Sequence, residues 1–248
     1  FRYPLYAGVF GSIWFIIWLI SRLQNQIIRK KYETRQKINE LQLKSIKNQI
    51  EPHFTFNLLN SISSLLYKND VEKANDLTEK YAKLLRHSLV YSDHIIIPLS
   101  EEIKYIEYYL EIEKHRCHGK FTYTIEPEND IDQEIHIPKM LVFTFVENAV
   151  KHGVKNLERG GFIQLKGTQN GNYYLLEIID NGIGLKKSTQ NNHHTTRFGL
   201  KTIDKILDYY NENQKQKILY EITSLNANHE EYPGTHVKIY IPYGIKRP

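Results

Sequence analysis

Phe145-Val146-Glu147-Asn148-Ala149-Val150-Lys151-His152-Gly153 decides the reading of the fold, together with Asp180-Asn181-Gly182-Ile183-Gly184 further along the chain. On a helix Glu147 and Lys151 lie four residues apart and share a face with Asn148 and His152, so metal-binding oxygens stand beside a cation. An ordinary exposed Glu–Lys pair would have the same spacing. Asp180 follows an apolar run that reads as a strand, Tyr173–Ile179, and Gly182 and Gly184 let a backbone approach a ligand without a Cβ in the way. A carboxylate at such a strand end can accept a hydrogen bond from the amino group of a purine. Asn181-Gly182 fits a plain strand-to-loop turn equally well.

Outward from these motifs the texture is mixed. Phe121, Tyr123 and Ile125 alternate as in a strand, Pro138 to His152 reads as a helix, and Ile163–Gly167, Ile218–Thr223 and His236–Ile241 read as further strands. That mixture predicts an α+β sandwich over residues 117–248. The polar run from Lys186 to Arg197 has nothing to bury and reads as a mobile loop ending at Phe198. Upstream, Ser100 opens a helix that runs to about His115, with Glu101 and Glu102 in the first turn, where the helix dipole favours acids.

Residues 24–66 are rich in helix formers, with Pro52 the one proline and no glycine, and predict a long helix. Ile46, Ile50, Phe54, Leu58, Ile62 and Leu65 make its apolar stripe. Lys68-Asn69-Asp70 reads as a turn with Asp70 as N-cap. The next helix carries Ala74, Leu77, Tyr81, Leu84 and Ser88 at 3-4-3-4 spacing. So short a turn predicts an antiparallel hairpin. A lone hairpin cannot bury both stripes, so two chains are expected to pair into a four-helix bundle.

The chain has 248 residues, 41 % hydrophobic and 25 % charged, which fits one or two globular domains and excludes disordered or collagen-like classes. Cys117 is the one cysteine, so internal disulfides and multi-cysteine metal sites are excluded. The net charge of +5 is local: residues 22–50 hold eight Lys/Arg against two Glu, and Arg2 adds one, leaving −2 for residues 51–248. That distribution argues against direct nucleic-acid binding. Between Arg2 and Arg22 lie 19 uncharged residues, including Ile13, Trp14, Phe15, Ile16, Ile17, Trp18, Leu19 and Ile20. They predict a transmembrane helix, with the following basic segment on the cytoplasmic side. A cleaved signal peptide would carry its positive charges before the apolar run; a buried core helix is the other reading, since Pro4, Gly8 and Gly11 weaken the span. Starting at Phe1, the chain reads as part of a longer protein.

The two opening motifs together resemble the N-box and G1-box of the GHKL (Bergerat) ATP-binding fold of gyrases, chaperones and histidine kinases. Gln49-Ile50-Glu51-Pro52-His53-Phe54-Thr55-Phe56-Asn57-Leu58-Leu59-Asn60 resembles the phosphoacceptor motif of LytS-type sensor histidine kinases. The likeness covers about residues 40–243, and its motifs are specific in combination: the His motif, Ile137-Pro138, Glu147-Asn148, Asp180, Gly199-Leu200 and Gly234-Thr235 come in family order.

The resemblance implies four parts: a transmembrane helix (1–21), a juxtamembrane helix and dimerising phosphotransfer hairpin (22–98), a connecting helix (99–116) and a GHKL catalytic domain (117–248). It implies ATP and Mg²⁺ as cofactors, with Asn148 holding the metal and phosphate oxygens, Glu147 polarising a metal-bound water, and Lys151 and His152 facing the phosphates. Asp180 would read the adenine amino group, Gly182 and Gly184 would shape the base pocket, and Thr235 would support Asp180. Gly199-Leu200 would close the lid and open a helix toward the phosphates, where helix N-termini suit anions. His53 would be the nucleophile, since a neutral imidazole offers a lone pair to the γ-phosphorus. Pro52 would kink the helix beside it, and Asn57, one turn on, would orient the ring or a water.

By the same resemblance the partners are a second copy (a homodimer), the membrane, and the receiver domain of a response regulator with a LytTR-type DNA-binding domain. The location is the bacterial cytoplasmic membrane, with the kinase domains in the cytoplasm. Three positions depart from the family pattern: Glu51 stands where Asn is usual, Thr55 where Leu is, and Arg197 in place of the first lid glycine. Glu51 either accepts a proton from the second ring nitrogen or is solvated. Two other functions fit the same fold, an ATP-driven conformational machine and a nucleotide-binding scaffold with weak catalysis.

Overall fold

The computed structural model describes residues 11–30, 32, 33, 36, 52–127, 135–155, 157, 160–184, 195–212, 214, 216–226 and 232–243; for residues 52, 53, 127 and 195–199 it describes the backbone alone. The expectations for Ile46, Ile50, Glu51 and Lys186–His194 lie outside these residues, as do those for the side chains of His53 and Arg197. The chain divides into two units, residues 1–43 and 44–248.

In the first unit residues 11–30 form helix α1. Ile13 through Ile20 make its first half apolar, and Trp14 is 77 % exposed. The second half carries Arg22, Gln24, Asn25, Gln26, Arg29 and Lys30. Among the described residues no helix is long and apolar enough to cross a membrane. The upstream half of the expected span, residues 1–10, lies outside them.

The second unit opens with an antiparallel hairpin, α2 (Pro52–Tyr67) and α3 (Val71–Val90). Asp70 caps α3 as expected, its carboxylate accepting from the Lys73 N–H, and Asn69 turns the chain in the left-handed region at φ 62°. The seam follows the sequence period: Phe54, Leu58, Ala74, Leu77 and Leu84 are all buried. Thr55 Oγ1 and Tyr81 Oη lie 2.9 Å apart across the hairpin, which gives the unusual threonine a structural partner.

β1 (Ile96–Pro98) leads into α4 (Leu99–Arg116), then β2 (Phe121–Pro127), β3 (His136–Pro138) and α5 (Leu141–Asn148), which runs into a π-helical turn, Ala149–Val154. β4 (Gly161–Asn170), β5 (Tyr173–Asp180), α6 (Thr195–Asn211), β6 (Leu219–Ser224) and β7 (Thr235–Pro242) follow. The main sheet has the order β2-β4-β5-β7-β6, parallel between β2 and β4 and antiparallel elsewhere. Alternate residues of β4, β5 and β7 are buried, and they share one core with α4, α5, α6 and the hairpin. The result is an α+β sandwich with a helical arm. An aromatic series joins the two: Phe54 to Tyr109 at 6.1 Å and Tyr109 edge-on to Phe143 at 4.9 Å between ring centroids, pairs that add about 0.5–1.5 kcal/mol each beyond area burial.

Two expectations are corrected. The helix expected from Pro138 begins at Leu141, because Ile137 pairs with Ile97 in a short β1–β3 ladder and Met140 turns left-handed. The expected loop ends earlier: Thr195 to Phe198 are already helical, so Gly199 and Leu200 lie within α6 and do not open it. The cause is the deep anchoring of α6 by Ile203, Ile206, Leu207 and Tyr210, which holds turns upstream that have no apolar signal of their own. Glu101 and Glu102 lie in the first turn of α4 as expected, and the Glu102 carboxylate in addition accepts from the backbone at the start of α5.

Candidate functional site

Asp180 ends β5 opposite Thr235, the first residue of β7. It is 3 % exposed. Its Oδ1 accepts the Gly182 N–H at 2.8 Å, and Thr235 bonds it through both side chain and backbone. Burial pushes its carboxyl up to about 6, against the pull of these donors. Asn181 plays a different part: its Oδ1 accepts the Phe162 N–H at 2.7 Å and its amide donates to Gly160 O at 3.3 Å, pinning the end of β5 to the start of β4. The Asp-Asn-Gly motif is thus both a strand-end lock and a presenter of Asp180.

Opposite stands the end of α5. From Ala149 the helix widens to a π turn, a form that recurs at functional sites. Its Gly153 faces Asp180, where a Cβ would come within 3.0 Å of Oδ1. Gly182 packs still closer on the Gly153 backbone, at 2.3 Å from Cα to a would-be Cβ. Between these walls lies an open cleft lined by Asn148, His152, Gly153, Asp180, Gly184, Leu200 and Thr235 with apolar Phe145, Ile178 and Ile222. Burial and the neighbouring Lys151 lower the pKa of His152, favouring its neutral form.

The structure therefore brings together Asn148, His152, Asp180, Gly182, Gly184, Leu200 and Thr235. Gly199 sits beside Leu200 in the second turn of α6. Glu147 and Lys151 are not among the cleft-lining residues; they pair with each other at 2.9 Å on the partly exposed flank of the helix. His53 lies in the first turn of α2 and Asn57 one turn on, where its carbonyl accepts from Ser61 Oγ at 3.0 Å. Both belong to the hairpin, and Asn57 is not among the cleft-lining residues. Sequence reasoning missed Gly153 as the neighbour of Asp180; the only signal available was its place four residues past Ala149 in a strongly apolar helix. No group of three or more His, Cys, Asp or Glu that could hold a metal occurs among the described residues. The donor set fits a cation carried mainly by a ligand's own oxygens, with Asn148 adding one protein oxygen.

The profile of the family described as Histidine kinase matches residues 41–121. YwpD of Bacillus subtilis (strain 168) is 35 % identical over 199 residues, covering 77 % of this chain and 69 % of YwpD. The sensor histidine kinase/phosphatase LytS of Staphylococcus aureus (strain Mu50) is 32 % identical over 171 residues, covering 68 % of this chain. The chain belongs to the LytS-type histidine kinases. It spans 29 % of the length of LytS. Among solved structures, the histidine kinase AdeS of Acinetobacter baumannii aligns over 73 % of this chain and 83 % of that one, with 15 % identity and a TM-score of 0.41. Within this family the matched region ends at β2, so the Asp180 cleft lies outside it.

Proposed function

We propose that the chain is the transmitter part of a membrane-anchored sensor histidine kinase: it binds Mg-ATP in the Asp180 cleft, phosphorylates His53 and passes the phosphoryl group to a receiver-domain aspartate of a response regulator that carries a LytTR-type DNA-binding domain. The observation that carries this reading is the buried Asp180 carboxylate on the wall of a cleft whose far side holds Asn148 and His152. An acceptor with no proton of its own at neutral pH suits the adenine amino group, and the apolar Phe145, Ile178 and Ile222 suit the base. Thr235 supports Asp180, and Gly182 and Gly184 shape the base pocket.

In the transfer step a ring nitrogen of His53 attacks the γ-phosphorus, the bond from that phosphorus to the β,γ-bridging oxygen breaks, and ADP leaves with the electron pair. The second ring nitrogen releases its proton. Asn148 would hold Mg²⁺ together with the phosphate oxygens, and the cation would supply charge neutralisation. Lys151 turns to the phosphates once it parts from Glu147, an exchange that costs little because the pair is partly exposed. Glu147 would then be left to polarise a water held by that cation. His152 and Asn148 flank the phosphates, Gly199 and Leu200 close over them, and Asn57 orients the imidazole.

Pairing of two hairpins into a homodimer is supported by the apolar surface of α2 and α3, where Phe56, Leu59, Leu66 and Leu89 are 65, 48, 51 and 70 % exposed. Membrane anchoring is supported by the apolar first half of α1 and its basic continuation. The test is incubation with γ-labelled ATP: acid-labile label is expected on the wild type and none on His53→Gln. Label of equal extent on His53→Gln would refute the assignment.

A further inference from the structure

We infer that Glu102 is the positioning residue through which the helical arm sets the place of helix α5, and with it Asn148 and the wall of the cleft. Glu102 sits on α4 and is 0 % exposed. Its Oε2 accepts the Met140 N–H at 2.9 Å, and its Oε1 accepts the N–H groups of Val142 and Phe143 at 2.7 and 2.9 Å. The first N–H groups of a helix have no partner within it. α5 has no side-chain cap of its own, and Met140 ahead of it is left-handed at φ 70°. A carboxylate from another helix therefore takes the place of the cap. Because α5 is only eight residues long, its start fixes its end, where Asn148 and the π turn face Asp180.

The same corner is tied to the hairpin. Lys139, 4 % exposed, donates from Nζ to the carbonyl of Tyr91, the C-cap residue of α3, at 2.5 Å. The Lys139 N–H donates to Ile95 O at 2.9 Å. Tyr105, one turn beyond Glu102 on α4, packs edge-on against Phe143 at 5.0 Å. A displacement of α3 against α4 must thus either drag the start of α5 with it or break a largely buried hydrogen-bonded cluster, and leaving its buried polar groups unpaired is expensive. This makes the Glu102 clamp a route from the arm to the nucleotide wall that does not pass through His53.

The inference rests on the cleft being the nucleotide site, and its test separates the two. Glu102→Gln keeps the shape but sets an amide N–H₂ against one of the three donors. Asp70→Ala, which removes the cap of α3 and touches nothing near α5, is the control for a plain loss of stability. In the full chain, Glu102→Gln is expected to raise the dissociation constant for Mg-ATP about tenfold and to speed amide exchange through Glu147–Val154, while Asp70→Ala leaves both as in the wild type. If the glutamine variant does not fold, Glu102→Asp, which draws the carboxylate back by one methylene, takes its place. A variant with wild-type affinity whose faster exchange stops at residues 140–143 overturns the inference. A wild type that binds no nucleotide refutes the nucleotide site, and the reach of the exchange then decides the role of Glu102 by itself.

Discussion

Gly153 and Asp180 face each other so closely that a methyl group would fit between them only if one of them gave way: a Cβ on Gly153 would lie 3.0 Å from Oδ1 and 3.2 Å from Cγ of Asp180. The contact is tight without being impossible, and the cheapest relief is a shift of the carboxylate by a few tenths of an ångström. Gly153→Ala is therefore expected to fold, to lose about 1–3 kcal/mol of stability as an overpacked site does, and to lose nucleotide affinity through the displaced Asp180. Thermal unfolding with and without Mg-ATP reads both. An alanine variant with wild-type affinity would show that Asp180 does not need its present place.

Gly182 meets backbone, not a side chain, and backbone cannot step aside. A Cβ there would fall 2.3 Å from Gly153 Cα and 2.5 Å from Gly153 O, so Gly182→Ala must push β5 and the π turn apart. It is expected to be far more damaging than Gly153→Ala, abolishing nucleotide-induced stabilisation. Gly160→Ala, where nothing lies within 4 Å of the new methyl, is expected to behave as the wild type in the same melting assay.

These contacts mark where the sequence stops being legible. The hairpin and the sheet strands were readable because each buries one face at a regular period: Ala74, Leu77 and Leu84 on α3, Tyr174, Leu176 and Ile178 on β5. Asp180 was readable from its place at a strand end before Asn-Gly and Asn148 from its helix face, while Thr235 followed only from the family resemblance. β1 and β3 were not, since three residues ending in proline have no period to show. The second role of Glu102 was hidden for the same kind of reason. Two acids early in a helix look like dipole partners to a local reading, and only the fold reveals that one of them meets an N-terminus 38 residues away. The mutual approach of Gly153 and Gly182 is likewise a long-range fact without a local signature.

The raised pKa of Asp180 gives opposite pH trends for stability and binding. Its carboxyl is pushed by burial from 3.8 to about 6, so the native state holds a proton that the unfolded chain releases between those values. From this group alone, stability falls as pH rises from about 4 to 6, by up to roughly 3 kcal/mol. Nucleotide affinity should do the reverse, weakening as pH falls below about 6, because a protonated carboxyl accepts the adenine amino group less well. Asp180→Asn is expected to flatten both trends relative to the wild type. Glu102, pushed up to about 7 by burial, adds a stability trend of the same sign, so the comparison must be between the two proteins and not along one curve. An Asp180→Asn protein whose affinity falls on acidification as steeply as that of the wild type would remove Asp180 from base recognition.

Thr55 and Tyr81 supply a prediction within the hairpin. Their hydroxyls meet at 2.9 Å across α2 and α3, two residues from His53, at a position where the family usually has leucine. A neutral hydrogen bond of this kind contributes about 0.5–1.5 kcal/mol net, while leucine would contribute burial in its place. Thr55→Val leaves the Tyr81 hydroxyl without its partner, and Tyr81→Phe leaves Thr55 without its own. Each single change is expected to lower stability by about 1 kcal/mol, and the double change by less than the sum. Thr55→Leu combined with Tyr81→Phe is expected to regain the loss, since it replaces both polar partners with apolar surface against Phe54. Chemical denaturation of the four proteins measures the coupling; strictly additive losses would show that the two hydroxyls do not interact, and that Thr55 stands beside the phosphoacceptor for another reason.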